Sequence, residues 1–253
     1  MSTTAIILAA GKGTRMESDL PKVLHPVADR PMVEWVMDSC RQAGCDRLIM
    51  VVGHKQELVK QAESDNADDV AWVTQEPQLG TGHAVMVCEE QLKDLDGPVL
   101  VVAGDGPLIR PETLKELIET HQAKSAAVTL ATSVLPDPEA YGRIVRDKDG
   151  ELVGIVEYLD ATEQQKQIHE VNVSIYCFDA AALREAMAKL TNDNAKGEYY
   201  LTDALGILRE SGKKLAAVAA VPPEDTKSIN TLDQLAEVDQ ILRDRLAAAG
   251  AGQ

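Results

Sequence analysis

Residues 5–25 read AIILAAGKGTRMESDLPKVLH, and their order decides the fold. An apolar run, Ala5 to Ala10, passes directly into Gly11, Lys12, Gly13, Thr14 and Arg15. A strand that opens into a glycine-bearing loop lets the backbone approach an anion closely, and successive free N–H groups in such a loop cradle phosphate. Arg15 and, after Pro21, Lys22 add two positive charges to the same loop. The stretch is not a P-loop, which needs G-x-x-x-x-G-K-[ST]. Nor is it a dinucleotide fingerprint, because Met16 stands where the third glycine belongs. It reads as a polyphosphate-holding loop of another kind.

Working outward, apolar runs alternate with helical patterns. Strands are expected at Ala5–Ala9, Arg47–Val52, Ala71–Thr74, Val99–Ala103 and Ala126–Thr132, with helices around Pro31–Ala43, Gln56–Glu63, Gly82–Gln91 and Pro111–Thr120. That alternation predicts an α/β fold with a doubly wound, mostly parallel sheet, whose ligands sit outside the carboxyl ends of the strands. The Gly104-Asp105-Gly106 turn belongs at that edge with the opening loop. Beyond it the style changes. Gly142–Arg146 and Leu152–Tyr158 flank Asp149-Gly150, a hairpin signal. Val171–Phe178 and Lys214–Val221 read as strands, and Leu201–Glu210 and Leu232–Ala249 as helices, with a small, flexible tail from Ala247 to Gln253. No linker or internal repeat divides the chain, so residues 1–253 are expected to form one domain.

The chain has 253 residues and a formal net charge of −16, which argues against nucleic acid or an anionic membrane as partner. A local Arg–Lys cluster can still reverse the field in one pocket. The four cysteines, Cys40, Cys45, Cys88 and Cys177, show no C-x-x-C spacing and read as buried thiols of a reducing compartment. The histidines are scattered, without zinc-site spacing. No signal peptide or membrane-length apolar run is seen, so a cytoplasmic location is expected.

The full string, strand then AAGKGTRM then LPKVL, resembles the signature of sugar-1-phosphate nucleotidyltransferases. Its continuation is most similar to the uridylyltransferase half of bacterial bifunctional N-acetylglucosamine-1-phosphate uridylyltransferases. The resemblance covers nearly the whole chain and implies a Rossmann-like sheet of the nucleotide-diphospho-sugar transferase type, with a smaller sugar-binding β subregion. It implies a nucleotide part over about residues 1–135 and a sugar part over about 136–230, with UTP and an N-acetylhexosamine 1-phosphate as substrates and Mg²⁺ as cofactor. The hexapeptide repeats of the family's acetyltransferase half are not seen, so that activity is not expected. Without the β-helix trimer contacts, a monomer or weak dimer is expected.

The same resemblance assigns roles. Leu8, Ala9, Ala10, Gly11, Gly13 and Thr14 would hold the nucleotide, Arg15 would face the leaving phosphates and Lys22 the α-phosphate. Asp105, in G-D-x-P-L, would bind the metal with Asn230; on bare sequence these two also read as helix caps. Gln75, Gly80 and Thr81, within QEPQLGTGH, would hold uracil, whose edge an amide can read by donating and accepting together. Gly104, Gly142, Glu157, Asn172 and Glu198 would line the sugar side. The chain departs from the family's N-T-G at Asn172-Val173-Ser174, and Ala103 stands where tyrosine or serine is usual. These departures gather on the sugar side, so transfer to another sugar 1-phosphate, with uracil or thymine as base, stays open. So does a non-catalytic nucleotide-sugar sensor.

Overall fold

The computed structural model describes residues 2–138, 140–194 and 196–250. Thr3–Leu8 (β1) leads through the glycine loop to a miniature hairpin, Pro26–Val27 (β2) with Arg30–Pro31 (β3), and then to Met32–Gln42 (α1). Cys45–Val52 (β4), Gln56–Ala62 (α2) and Val70–Thr74 (β5) follow. Thr81–Met86 (α3), Glu89–Leu92 (α4), Pro98–Ala103 (β6), Pro111–Lys124 (α5) and Val128–Val134 (β7) complete the first half. The second half holds the hairpin Arg143–Arg146 (β8) and Leu152–Val156 (β9), Glu163–Lys166 (α6), Glu170–Asp179 (β10) and Ala180–Met187 (α7). Asp203–Glu210 (α8), Leu215–Val218 (β11) and Leu232–Gly250 (α9) end it.

Among the described residues the main sheet runs β11-β7-β10-β6-β1-β4-β5, with the β8–β9 hairpin attached to β10. β1 pairs in parallel with both β4 and β6. The chain therefore winds from β1 to one side, through β4 and β5, and then resumes beside β1 at β6. Such a reversal opens a crevice at the strands' carboxyl ends. β10 is antiparallel to both of its long neighbours, β6 and β7.

Alternation along β1 explains the layering. Ala5 and Ile7 are fully buried with Val33, Val36 and Met37 of α1 and Leu114 and Leu117 of α5. Ile6, between them, is buried on the other face with Val85, Leu183 and Leu205. Successive strand side chains point to opposite faces, and both faces are covered, which is why these strands read as continuous apolar runs.

The elements depart from expectation in a few places. The helix expected over Gly82–Gln91 is two, because the chain tightens at Cys88, whose N–H reaches back three residues to Val85. α7 was not anticipated, although Asp179 caps it by accepting from the N–H of Ala182 at 2.9 Å. The tail is helical to Gly250, and residues 251–253 lie outside the described residues.

Candidate active site

A cleft of about 710 Å³ opens at the carboxyl ends of β1, β5 and β6. Leu8, Ala9, Ala10, Gly11 and Lys22 line it from the first loop, Gln75, Gly80 and Thr81 from the second, and Asp105 from the third. Gly142, Glu157, Asn172 and Glu198 line the opposite wall. Gly13, Thr14, Arg15, Gly104 and Asn230 are not in its lining.

Lys22 begins a single 3-10 turn whose next two residues, Val23 and Leu24, are buried and anchor it. Gly13 adopts φ +60, and a Cβ there would fall 2.7 Å from Lys22 Cβ, so only glycine lets the two arms of the loop close on each other. Thr14–Met16 forms a second short turn, pinned by the buried Met16. Arg15 thereby stands at the cleft's outer edge, with its Nη2 donating to Asn230 Oδ1 at 2.9 Å.

Lys22 Nζ donates to the same oxygen at 2.9 Å and also to Asp105 Oδ2, its side chain only 12% exposed against 23% for Asp105. Asn230 is carried there by Ile229, whose N–H donates to the Asp105 carbonyl at 3.1 Å. The capping role that bare sequence gives Asn230 falls instead to Thr231. Thr231 Oγ1 accepts from Gln234 N–H at 3.3 Å, and Gln234 Oε1 returns to the N–H groups of Thr231 and Asn230. Asp105 caps nothing either, since Arg110 precedes α5.

Gln75 is buried, its Nε2 donating to the Gly80 carbonyl at 2.9 Å. Gly80 has φ +101, and a Cβ there would lie 2.6 Å from the Tyr199 carbonyl. The closeness is a backbone clasp between the two walls. Gly82 N–H donates to the Tyr199 carbonyl and Tyr199 N–H to the Leu79 carbonyl, both at 2.8 Å. Leu201 N–H adds a bond to Thr81 Oγ1 at 3.2 Å.

On the far wall Asn172 is buried, its Nδ2 donating to the hydroxyl of Tyr176 at 2.9 Å. Burial pushes the Tyr176 phenol up to about 12, against the hydrogen bonds from Asn172 and Ser174. Glu157 is exposed in the wall, and partial desolvation followed by Asp160 raises its carboxyl above the ordinary value. Gly104 packs against Leu8, its N–H donating to the Leu8 carbonyl at 2.9 Å, at the strand ends between the cleft-lining Ala103 and Asp105. Arg143 is buried and braces the Gly142 loop through the carbonyls of Tyr141, Pro138 and Lys166.

Gln78 and Tyr176 also line the cleft and carry no assignment from sequence, and Ser174 and Tyr200, both expected on the sugar side, line it with them. Gln78 Nε2 donates to the Ala10 carbonyl, tying the second loop to the first. Spacing by two from Asn172 points to Ser174 and Tyr176 as residues of the same face.

The comparisons agree with this geometry. Residues 5–205 match the MobA-like NTP transferase domain. The bifunctional protein GlmU of Thermoanaerobacter pseudethanolicus is 48% identical over 241 residues, 95% of this chain and 52% of that protein. GlmU of Geobacter metallireducens is 47% identical over 242 residues, 96% of this chain and 51% of that protein. The chain thus spans about half the length of the curated relatives it matches. Apo UDP-glucose pyrophosphorylase superposes with a TM-score of 0.75 at 18% identity, covering 97% of this chain and 99% of that one, which establishes the nucleotide-sugar transferase fold. A loop that gathers cations at the strand ends, a cleft beside it and a family match across both together make this chain a member of the MobA-like NTP transferase domain family.

Proposed function

We propose that the chain transfers the UMP group of UTP to N-acetylglucosamine 1-phosphate, giving UDP-N-acetylglucosamine and pyrophosphate. The observation that carries this reading is one cleft lined by Lys22 together with Gly142, Glu157 and Asn172, with Arg15 joined to Lys22 through Asn230 Oδ1 beside it. The GlmU relatives and the motif resemblance support the choice of uridine and an N-acetylated sugar. On this reading the nucleotide part is about residues 1–135 and the sugar part about 136–230.

An oxygen of the sugar phosphate attacks the α-phosphorus, and the bond to the bridging oxygen of pyrophosphate breaks with its electron pair. Such a displacement asks the protein for positioning and charge neutralisation. Lys22 neutralises the α-phosphate and Arg15 the departing phosphates. The N–H groups of the Leu8–Thr14 loop orient the triphosphate, and Gln75 with Gly80 and Thr81 holds the base. Gly142, Glu157, Asn172 and Glu198 hold the sugar.

Asp105 and Asn230 would hold a Mg²⁺ ion. Their oxygens are hard donors, and both already converge on one cation, the Lys22 ammonium. Among the described residues no group of three or more His, Cys, Asp or Glu could hold a metal. Mg²⁺ suits a sparse protein set, because it takes water and substrate phosphate for its remaining ligands. A bound ion would supply neutralisation of phosphate charge.

The test is steady-state pyrophosphate release from UTP with a panel of sugar 1-phosphates. Release with N-acetylglucosamine 1-phosphate that stops with EDTA and falls by about a hundredfold or more in Asp105→Ala is expected. Release only with another sugar phosphate reassigns the acceptor, and no release with any overturns the transferase reading.

A further inference from the structure

Pairing between β10 and β7 holds at Asn172 with Thr132 and resumes at Ile175 with Ala131, so Val173 and Ser174 form a bulge. Val173 packs into the core shared with α1 and α5. Ser174 turns the other way, lines the cleft and is exposed. Its φ is +58, a conformation that a side chain disfavours and that recurs where a site needs a group aimed in a particular direction. Bulges beside functional sites re-aim side chains in this way.

The neighbours of Ser174 are engaged with one another. Its own N–H donates to Asn172 Oδ1 at 3.1 Å, and Asn172 Nδ2 donates to the Tyr176 hydroxyl. Asn172 and Tyr176 therefore fix the floor of this wall, and the Ser174 side chain, itself hydrogen-bonded to Tyr176, lines the cleft with oxygen lone pairs still able to accept.

We propose that Ser174 is a specificity-determining residue whose hydroxyl hydrogen-bonds a ring hydroxyl of the bound sugar. The proposal rests on the reading that this end of the cleft receives the sugar. It makes the bulge a reader of hydroxyl pattern and distinguishes the residue from the buried Asn172 that supports it.

The experiment compares affinities for UDP and UDP-N-acetylglucosamine by calorimetry in wild type, Ser174→Ala and Ser174→Gly, alongside KM for UTP. In wild type the sugar should strengthen binding over UDP alone. Both variants should lose about five- to tenfold of that increment, while UDP affinity and KM for UTP stay within twofold. Ser174→Gly relaxes the backbone, so agreement between the two variants separates the hydroxyl from strain. A sugar increment unchanged in both variants overturns the proposal, as does a wild type that binds UDP and UDP-N-acetylglucosamine alike. Wild type that binds with the increment but releases no pyrophosphate would defeat the transferase reading and leave Ser174 in its role.

Discussion

Asn230 Oδ1 accepts from Lys22 and Arg15 together, so one amide holds the two cations of the first loop in fixed relation. A metal role came from the motif resemblance alone, and spacing by itself marks Asn230 as a residue ahead of a helix, where capping is the ordinary duty of an asparagine. That Thr231 takes that duty depends on which side chain the turn brings over the helix end, and spacing alone does not reveal it. Glu63 is a second residue whose role is invisible in sequence. It is 1% exposed, and neither carboxylate oxygen has a hydrogen-bond partner among the described residues. Burial, then repulsion from Glu34, pushes its carboxyl from 4.5 up to about 7, with Asn66 and the Arg30 and Arg41 guanidinium groups offsetting only part. Between those two values the folded chain keeps a proton that the unfolded chain has released. Stability from this group is thus complete below pH 4.5 and declines as pH rises towards about 7, by up to about 3 kcal/mol. Urea unfolding of wild type and Glu63→Gln at pH 5 and pH 8 checks this. The variant should lose the slope and gain on wild type at the higher pH.

At the level of elements, strands buried on both faces announce themselves as apolar runs, which is why β1, β4 and β6 were legible to within about two residues. α7 was not, because Ala180-Ala181-Ala182 supplies a face too small to register as an apolar stripe, although its Asp179 cap was there to be read. Least legible are the ties between distant elements. Asp225 has no side-chain exposure and receives Arg110 Nε at 2.6 Å from the start of α5 and Arg245 Nη2 at 2.5 Å from α9. These partners stand 115 and 20 residues away along the chain. Removing the carboxylate takes the buried partner from two cations and leaves them only the exposed Glu224 carboxylate. Asp225→Ala is expected to cost about 3–5 kcal/mol in urea unfolding, whereas Glu224→Ala, whose side chain is 53% exposed, should cost less than about 1 kcal/mol.

For the molecule as a whole, the α/β winding and the crevice at the strand ends followed from the alternation of patterns, and the loops expected at that edge do meet there. The far wall of the cleft was legible as a set of residues but not as a construction, because the bulge in β10 and the approach of the Tyr199 segment to Gly80 and Gly82 are tertiary facts. The chain's net charge of −16 repels a polyanion at long range, so under the proposed function capture of a nucleotide would rest on the short-range cations of the first loop. No helix among the described residues is long and apolar enough to cross a membrane. The backbone clasp of Tyr199 onto Leu79 and Gly82 has a thermodynamic corollary. A ligand that orders the Gly80 loop also orders the segment carrying Glu198 and Tyr200, and linkage makes that help mutual. Calorimetry with a non-hydrolysable UTP analogue and N-acetylglucosamine 1-phosphate should therefore show each tightening the other by one common factor, about fivefold or more. Equal affinities with and without the second ligand would mean the clasp transmits nothing. With the factor present, neither ligand has a private site: each completes the other's.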